Sequence, residues 1–197
     1  MRVDRERSGD RSALCPPTDG DTGTNGEQGR LFEHARLAYF EANTSDADRA
    51  PLTEWFSAAA VAAGEDGCSF EMASAAAGYA AHTANAATND GFFRDDDTVL
   101  LVFVLSDEPD KSPEGVAPYH DMLTARKSSC GGDACILASA IVDPCIEEVD
   151  NTLWRFLNAF GEAPITGDID ATASYGAVVG DALARIIEQT CNEVVLI

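Results

Sequence analysis

Residues 99–105 read V-L-L-V-F-V-L, seven consecutive apolar positions with β-branched and aromatic members and no alternation. Such a run reads as a strand buried on both faces, as in the middle of a sheet covered by helices. A second run, C-I-L-A-S-A-I-V over residues 135–142, has the same character. Each ends abruptly in polar residues: Ser106, Asp107, Glu108, Pro109 and Asp110 after the first, Asp143 and Pro144 after the second. In open α/β sheets ligands bind outside the carboxyl ends of the strands, so the cluster from Ser106 to Asp110 is the first place to look for function.

The segments around these strands carry helical signals. Residues 51–63 start with Pro51, suited to a first turn, and stop before Gly64. An alanine-rich helix is expected over 68–87 and another over 119–129, ended by Gly131 and Gly132. Asp150 can cap a helix through Phe160 that places Leu153, Phe156, Leu157 and Phe160 on one stripe. Ile165 falls in a short strand, residues 172–189 form the clearest amphipathic helix, and 194–197 read as a closing strand. Residues 1–50 form an irregular polar region in which 31–43 alone has helical spacing. Residues 51–197 then alternate helices and strands, the pattern of an α/β domain with a mostly parallel sheet and helices on both faces.

Composition narrows the function classes. With 34 acidic against 13 basic residues, a net charge of −21, the chain repels nucleic acid and anionic membrane surfaces. Most of this charge reads as a solvating surface, suited to a secreted or salt-adapted setting or to cation binding. No apolar run is long enough to span a membrane, so membrane insertion is not expected. Six cysteines without Cys-x-x-Cys pairs argue for disulfides or buried thiols rather than zinc. Cys130 and Cys135 flank the Gly-Gly turn and are one candidate pair; Cys145 with Cys191 is a second. Disulfides imply an oxidising compartment, whereas residues 1–30 contain no apolar signal-peptide region. The run Asp19, Asp21, Gly23, Asn25, Glu27 has the alternation of a calcium loop but lacks its twelfth-position glutamate and flanking helices.

A carboxylate at a strand end coordinates a hard cation, works as acid or base, or is solvated. Magnesium takes few carboxylates together with hydroxyls and waters, and Asp107 suits that role. Glu108 and Asp110 read as surface charges. The chain has no Gly-x-Ser-x-Gly elbow, no Walker loop, no Gly-x-Gly-x-x-Gly after a strand and no HExxH, so no enzymatic activity is expected.

The stretch N-D-G-F-F-R-D-D from Asn89, followed by T-V-L-L-V-F-V-L-S-D-E-P-D, resembles the von Willebrand factor A (vWA) family, and within it secreted myxobacterial vWA-like proteins. Gly67 to Glu71 is similar to a helix entry of that family, residues 135–142 to its next strand, and 156–170 with 175–191 to its last segments. The resemblance implies a Rossmann-like, doubly wound sheet with a magnesium-dependent adhesion site at the strand carboxyl ends, completed by a protein partner's carboxylate. It places Asp107 as the strand-end metal ligand and Ser69 as the loop hydroxyl. The family's Asp-x-Ser-x-Ser motif and the strand that carries it are absent, so the chain reads as the C-terminal two-thirds of such a domain with a truncated or divergent start. Without that strand, the run at 99–105 would keep an unpaired edge and an uncovered apolar face. The resulting expectation is a non-enzymatic protein-binding module, extracellular or in the cell envelope. The competing readings are a vestigial structural product without a metal site, and an acidic hydrolase.

Overall fold

In the computed structural model, the structure describes residues 29–42, 46–63, 71–94, 98–144 and 151–192, with the side chains of Asp46 and of 187–192 excepted. In chain order the elements are α1 (Asp46–Ala63), α2 (Ala73–Ala81), β1 (Leu100–Ser106), α3 (Ala117–Arg126), β2 (Ile136–Val142), α4 (Thr152–Leu157), β3 (Ile165–Asp168) and α5 (Tyr175–Asn192), joined in places by short 3-10 turns. The three strands form a parallel sheet in the order β1-β2-β3. Leu100 pairs with Ile136 and the register runs unbroken to Ser106 opposite Val142; β3 continues it from Ile165 opposite Ser139. The expected α/β architecture with a parallel sheet is therefore present.

Of the two apolar runs, both read as strands buried on both faces, only the second holds that place, and the unpaired edge expected for the first is present among the described residues. β2 is the middle strand, and all seven of its residues are buried. β1 is an end strand: only Val104 is buried, and Leu105 is 63% exposed. The edge of β1 away from β2 has no strand against it among the described residues.

Burial alternates across β2 because successive side chains point to opposite faces. Ile136, Ala138, Ala140 and Val142 join one core with Tyr79 of α2, Tyr119 and Leu123 of α3, and Leu153, Phe156 and Leu157 of α4. On the other face lie Leu137, Ser139 and Ile141, where α5 buries Val178 and Ala182. Gly167 of β3 makes that contact close, since a Cβ there would stand 2.6 Å from Val178 Cγ2. Helices thus cover both faces, three on one and α5 on the other.

Several helix ends differ from expectation because asparagines compete with the helix for backbone groups. α2 stops at Ala81, short of residue 87. Asn85 Nδ2 donates to Tyr79 O at 2.8 Å, and Asn89 Nδ2 donates to Ala80 O at 2.9 Å, so side chains take the helix's last carbonyls. Asn89 also donates to Gly29 O and accepts from Leu31 N, which ties the 29–31 segment to α2. α4 is capped by Asn151, whose side chain accepts from Leu153 N and Trp154 N, rather than by Asp150. α1 starts at Asp46, ahead of Pro51, and α3 starts at Ala117 and ends at Arg126. Residues 31–42 contain no helix; Ala35 and Arg36 adopt positive φ (51° and 68°) in a tight turn bridged between His34 and Leu37. Cys130 and Cys135 are joined by a disulfide around the Gly131-Gly132 turn, both glycines having positive φ. The proposed calcium run, Cys145 and the closing strand at 194–197 lie outside the described residues, as does the side chain of Cys191.

α2 and α3 meet where α2 has no side chain. A Cβ on Gly78 would lie 2.7 Å from both Cα and Cβ of Tyr119, a clash with backbone that no rotamer relieves. Gly78→Ala is expected to lower stability by about 1–3 kcal/mol, helix propensity notwithstanding. Denaturant melts of the two proteins would measure it, and an unchanged midpoint would show that the helices do not approach this closely.

Candidate functional site at the carboxyl end of strand β1

The chain leaves β1 through a tight turn closed by Ser106, whose Oγ accepts from Glu108 N at 3.3 Å and donates to Glu108 O at 3.0 Å. This turn leaves Asp107 and Glu108 exposed. The chain then dives inward. Asp110 is only 5% exposed, which corrects its reading as a surface charge; Glu108 lies on the surface as expected.

Asp110 is held by hydroxyls. Its Oδ2 accepts from Ser74 Oγ at 2.5 Å, and its Oδ1 from Ser112 Oγ at 2.6 Å and Ser112 N at 3.2 Å. Ser112 Oγ in turn accepts from Ala75 N at 3.0 Å, and Lys111 N donates to Glu71 O at 2.6 Å. The reason lies in α2. Its cap position is Met72, which offers no side-chain acceptor, so the first N–H groups of the helix need partners from elsewhere. The loop after β1 supplies one, and the Asp110 carboxylate sits near the positive end of the helix dipole. Burial nonetheless pushes the Asp110 carboxyl above its ordinary value, against the opposing pull of the Ser112 and Ser74 hydrogen bonds.

Glu71, just before α2, belongs to the same neighbourhood. Its carboxyl is also raised, first by partial burial and then by the negative charges of Glu108 and Asp107. Three surface carboxylates therefore crowd the strand end above the buried one.

These groups bear directly on a magnesium site. Asp107 is exposed, and Ser69 lies outside the described residues. The one place where a carboxylate and two hydroxyls converge is Asp110 with Ser74 and Ser112, and both hydroxyl protons there are already committed to the carboxylate. Among the described residues, no group of three or more His, Cys, Asp or Glu is arranged to hold a metal. What the described residues offer a cation is the exposed carboxylate rim, not a closed shell.

The other ionisable cluster is structural in character. His120 Nε2 lies 2.9 Å from Asp133 Oδ1, close enough to pair but not aligned as a hydrogen bond, and its ring packs on Phe160. Its Nδ1 meets Asp121 at 3.2 Å. Among the described residues no hydroxyl or thiol hydrogen-bonds to this ring, so no nucleophile–base pair is formed there.

Sequence reasoning singled out Asp107 and passed over Asp110, Ser112 and Ser74. The available signal was Asp110-Lys111-Ser112 between two prolines, an aspartate poised to accept from the backbone two residues on. Comparison with known proteins gives no relative: no family model, no curated protein and no solved structure matches the chain.

Replacing Asp110 separates hydrogen bonding from charge. Asp110→Ala strands the Ser74 hydroxyl and the Ser112 N–H and is expected to cost about 2–3 kcal/mol. Asp110→Asn keeps an acceptor and should cost less. A carboxyl whose folded pKa is raised contributes stability that is full below its ordinary value of 3.8 and is lost as pH rises through the folded value. Stability of the wild type should accordingly fall as pH rises from about 4 toward neutrality, and this slope should be shallower in Asp110→Asn. Parallel slopes for the two proteins in melts across that range would count against a buried, strained carboxylate.

Proposed function

We propose that the chain is a non-enzymatic, protein-binding module of the vWA type, with a Rossmann-like doubly wound sheet, that works through the acidic rim at the carboxyl end of β1. The observation that carries this reading is the crowding of Glu71, Asp107 and Glu108, whose charges add to burial in raising the Glu71 carboxyl. Crowded negative charge at a strand end favours a cation, either magnesium or a basic group of a protein partner. The parallel sheet with helices on both faces supports the fold assignment. The Cys130–Cys135 disulfide is compatible with an extracellular or envelope location. In this reading Asp107 is the principal ligand, and Ser69 is the hydroxyl that would join it.

A second reading, a structural product without a metal site, is favoured by one observation. The carboxylate best placed to be a buried ligand, Asp110, is spent on capping α2.

Magnesium chloride at millimolar concentration is expected to raise the melting temperature by about 2–4 °C per kcal/mol of binding free energy, beyond potassium chloride at matched ionic strength. Asp107→Ala should remove that difference. Identical melts in the two salts would sink the metal-dependent form and leave the structural reading.

A further inference from the structure

We propose that the outer edge of β1 takes up an extended, apolar segment of a partner protein, flanked by basic residues, as an added strand. This rests on the binding-module reading and names the class of partner. β1 pairs with β2 over its full length, and among the described residues nothing else pairs with its backbone. Alternate N–H and C=O groups of an end strand point away from the sheet and form a template for another strand.

Side chains beside that edge are also unfinished. On the face shared with α5, Leu101 and Phe103 are half-buried and Leu105 is 63% exposed. α5 packs on β2 and β3, and it leaves Val179 and Leu183 at 37% and 48% exposure on its own surface. An added strand would place every second side chain next to Leu101, Phe103 and Leu105.

Charge selects the occupant. Asp107 and Glu108 stand exposed at the carboxyl end of β1, with Glu71 beside them. A second copy added in parallel would bring acid against acid at that end, and the net charge of −21 disfavours a copy in either orientation. A segment with lysine or arginine at both ends meets opposite charge at the carboxyl end of β1 in either strand orientation. The same acids that guard the edge against self-pairing therefore leave it open to a basic strand.

The probe is a fluorescein-labelled peptide, K-K-V-T-V-T-V-K-K, titrated with the full chain and followed by anisotropy. Saturable binding is expected, weakened at least about tenfold by N-methylation of alternate backbone nitrogens, because each lost main-chain hydrogen bond removes part of the affinity. Leu105→Lys, at a position too exposed to threaten folding, should weaken it as well. Equal binding of the methylated peptide would overturn strand addition while leaving the acidic rim as a purely electrostatic surface. Equal binding of a second peptide, E-E-V-T-V-T-V-E-E, would overturn the charge argument, and no binding of the parent peptide would overturn the proposal outright. Sedimentation of the chain alone should give a monomer. A dimer abolished by Leu105→Lys would assign the edge to a second copy and equally overturn it. The magnesium melts are an independent readout of the rim, so the two ideas can fail separately.

Discussion

Everything in this small domain depends on covering β2. A strand with all seven residues buried needs a hydrogen-bonded neighbour on each side and a packed layer on each face. β1 and β3 meet the first demand, and the α2–α3–α4 layer and α5 meet the second. The residues of β2 fit that position. Ile136, Leu137, Ile141 and Val142 lie toward its two ends, and each contributes about 1.5–3 kcal/mol on burial. Ala138, Ser139 and Ala140 occupy its centre, where small side chains let helices approach from both directions. Gly78 of α2 and Gly167 of β3 serve the same end, at the contacts with Tyr119 and Val178.

That closeness requires the polar groups at the helix ends to be satisfied locally. α2 is nine residues long and mostly alanine, too short to be stable alone and with little side-chain volume to hold it. Its amino end is finished by Ser112 and Asp110 from the loop after β1. Its carboxyl end is finished by Asn85 and Asn89, 2% and 3% exposed. The buried polar groups of this domain are thus largely caps, each supplied from a segment other than the helix it finishes or from just beyond its end.

This distribution explains what could be read from the sequence. Both long strands, the alternation with helices and the parallel arrangement followed from apolar runs and their spacing. The rank of the strands did not. The run at 99–105, with Leu, Phe and Val throughout, is the more apolar of the two, yet it forms the edge. A middle strand between two helical layers is limited by volume, and an end strand is not, so hydrophobicity alone misassigns them. Helix ends were misplaced where asparagines intervene, because alanine spacing carries no trace of a side chain bonding backward to Tyr79 or Ala80. At the site, the strand-end carboxylates were visible as a cluster. Which of them turns inward was decided by the unfilled cap of α2, a need located some 35 residues upstream of Asp110 (36 for its contact with Ser74).

An end strand with one neighbour must be held in some other way. Among the described residues, the buried charged side chains are Asp110 and Lys127, and they stand at opposite ends of β1. Lys127, 2% exposed, donates to Arg94 O at 2.8 Å and to Thr98 Oγ1 at 3.0 Å, fixing the approach to the strand. Arg126 reinforces this by donating to Phe93 O. Asp110 fixes the exit through Ser112 and Ser74. Burying a charge is unfavourable unless it is well bonded, so two such groups at these positions amount to anchors for a strand that has no second partner among the described residues. Anchored ends keep β1 extended and in register without using its outer hydrogen-bonding groups. The acidic turn beyond Ser106 is held in the same way, with Asp107 and Glu108 outside and Asp110 inside. The open edge and the carboxylate rim are therefore two consequences of one arrangement, a strand fastened at its ends instead of along its side.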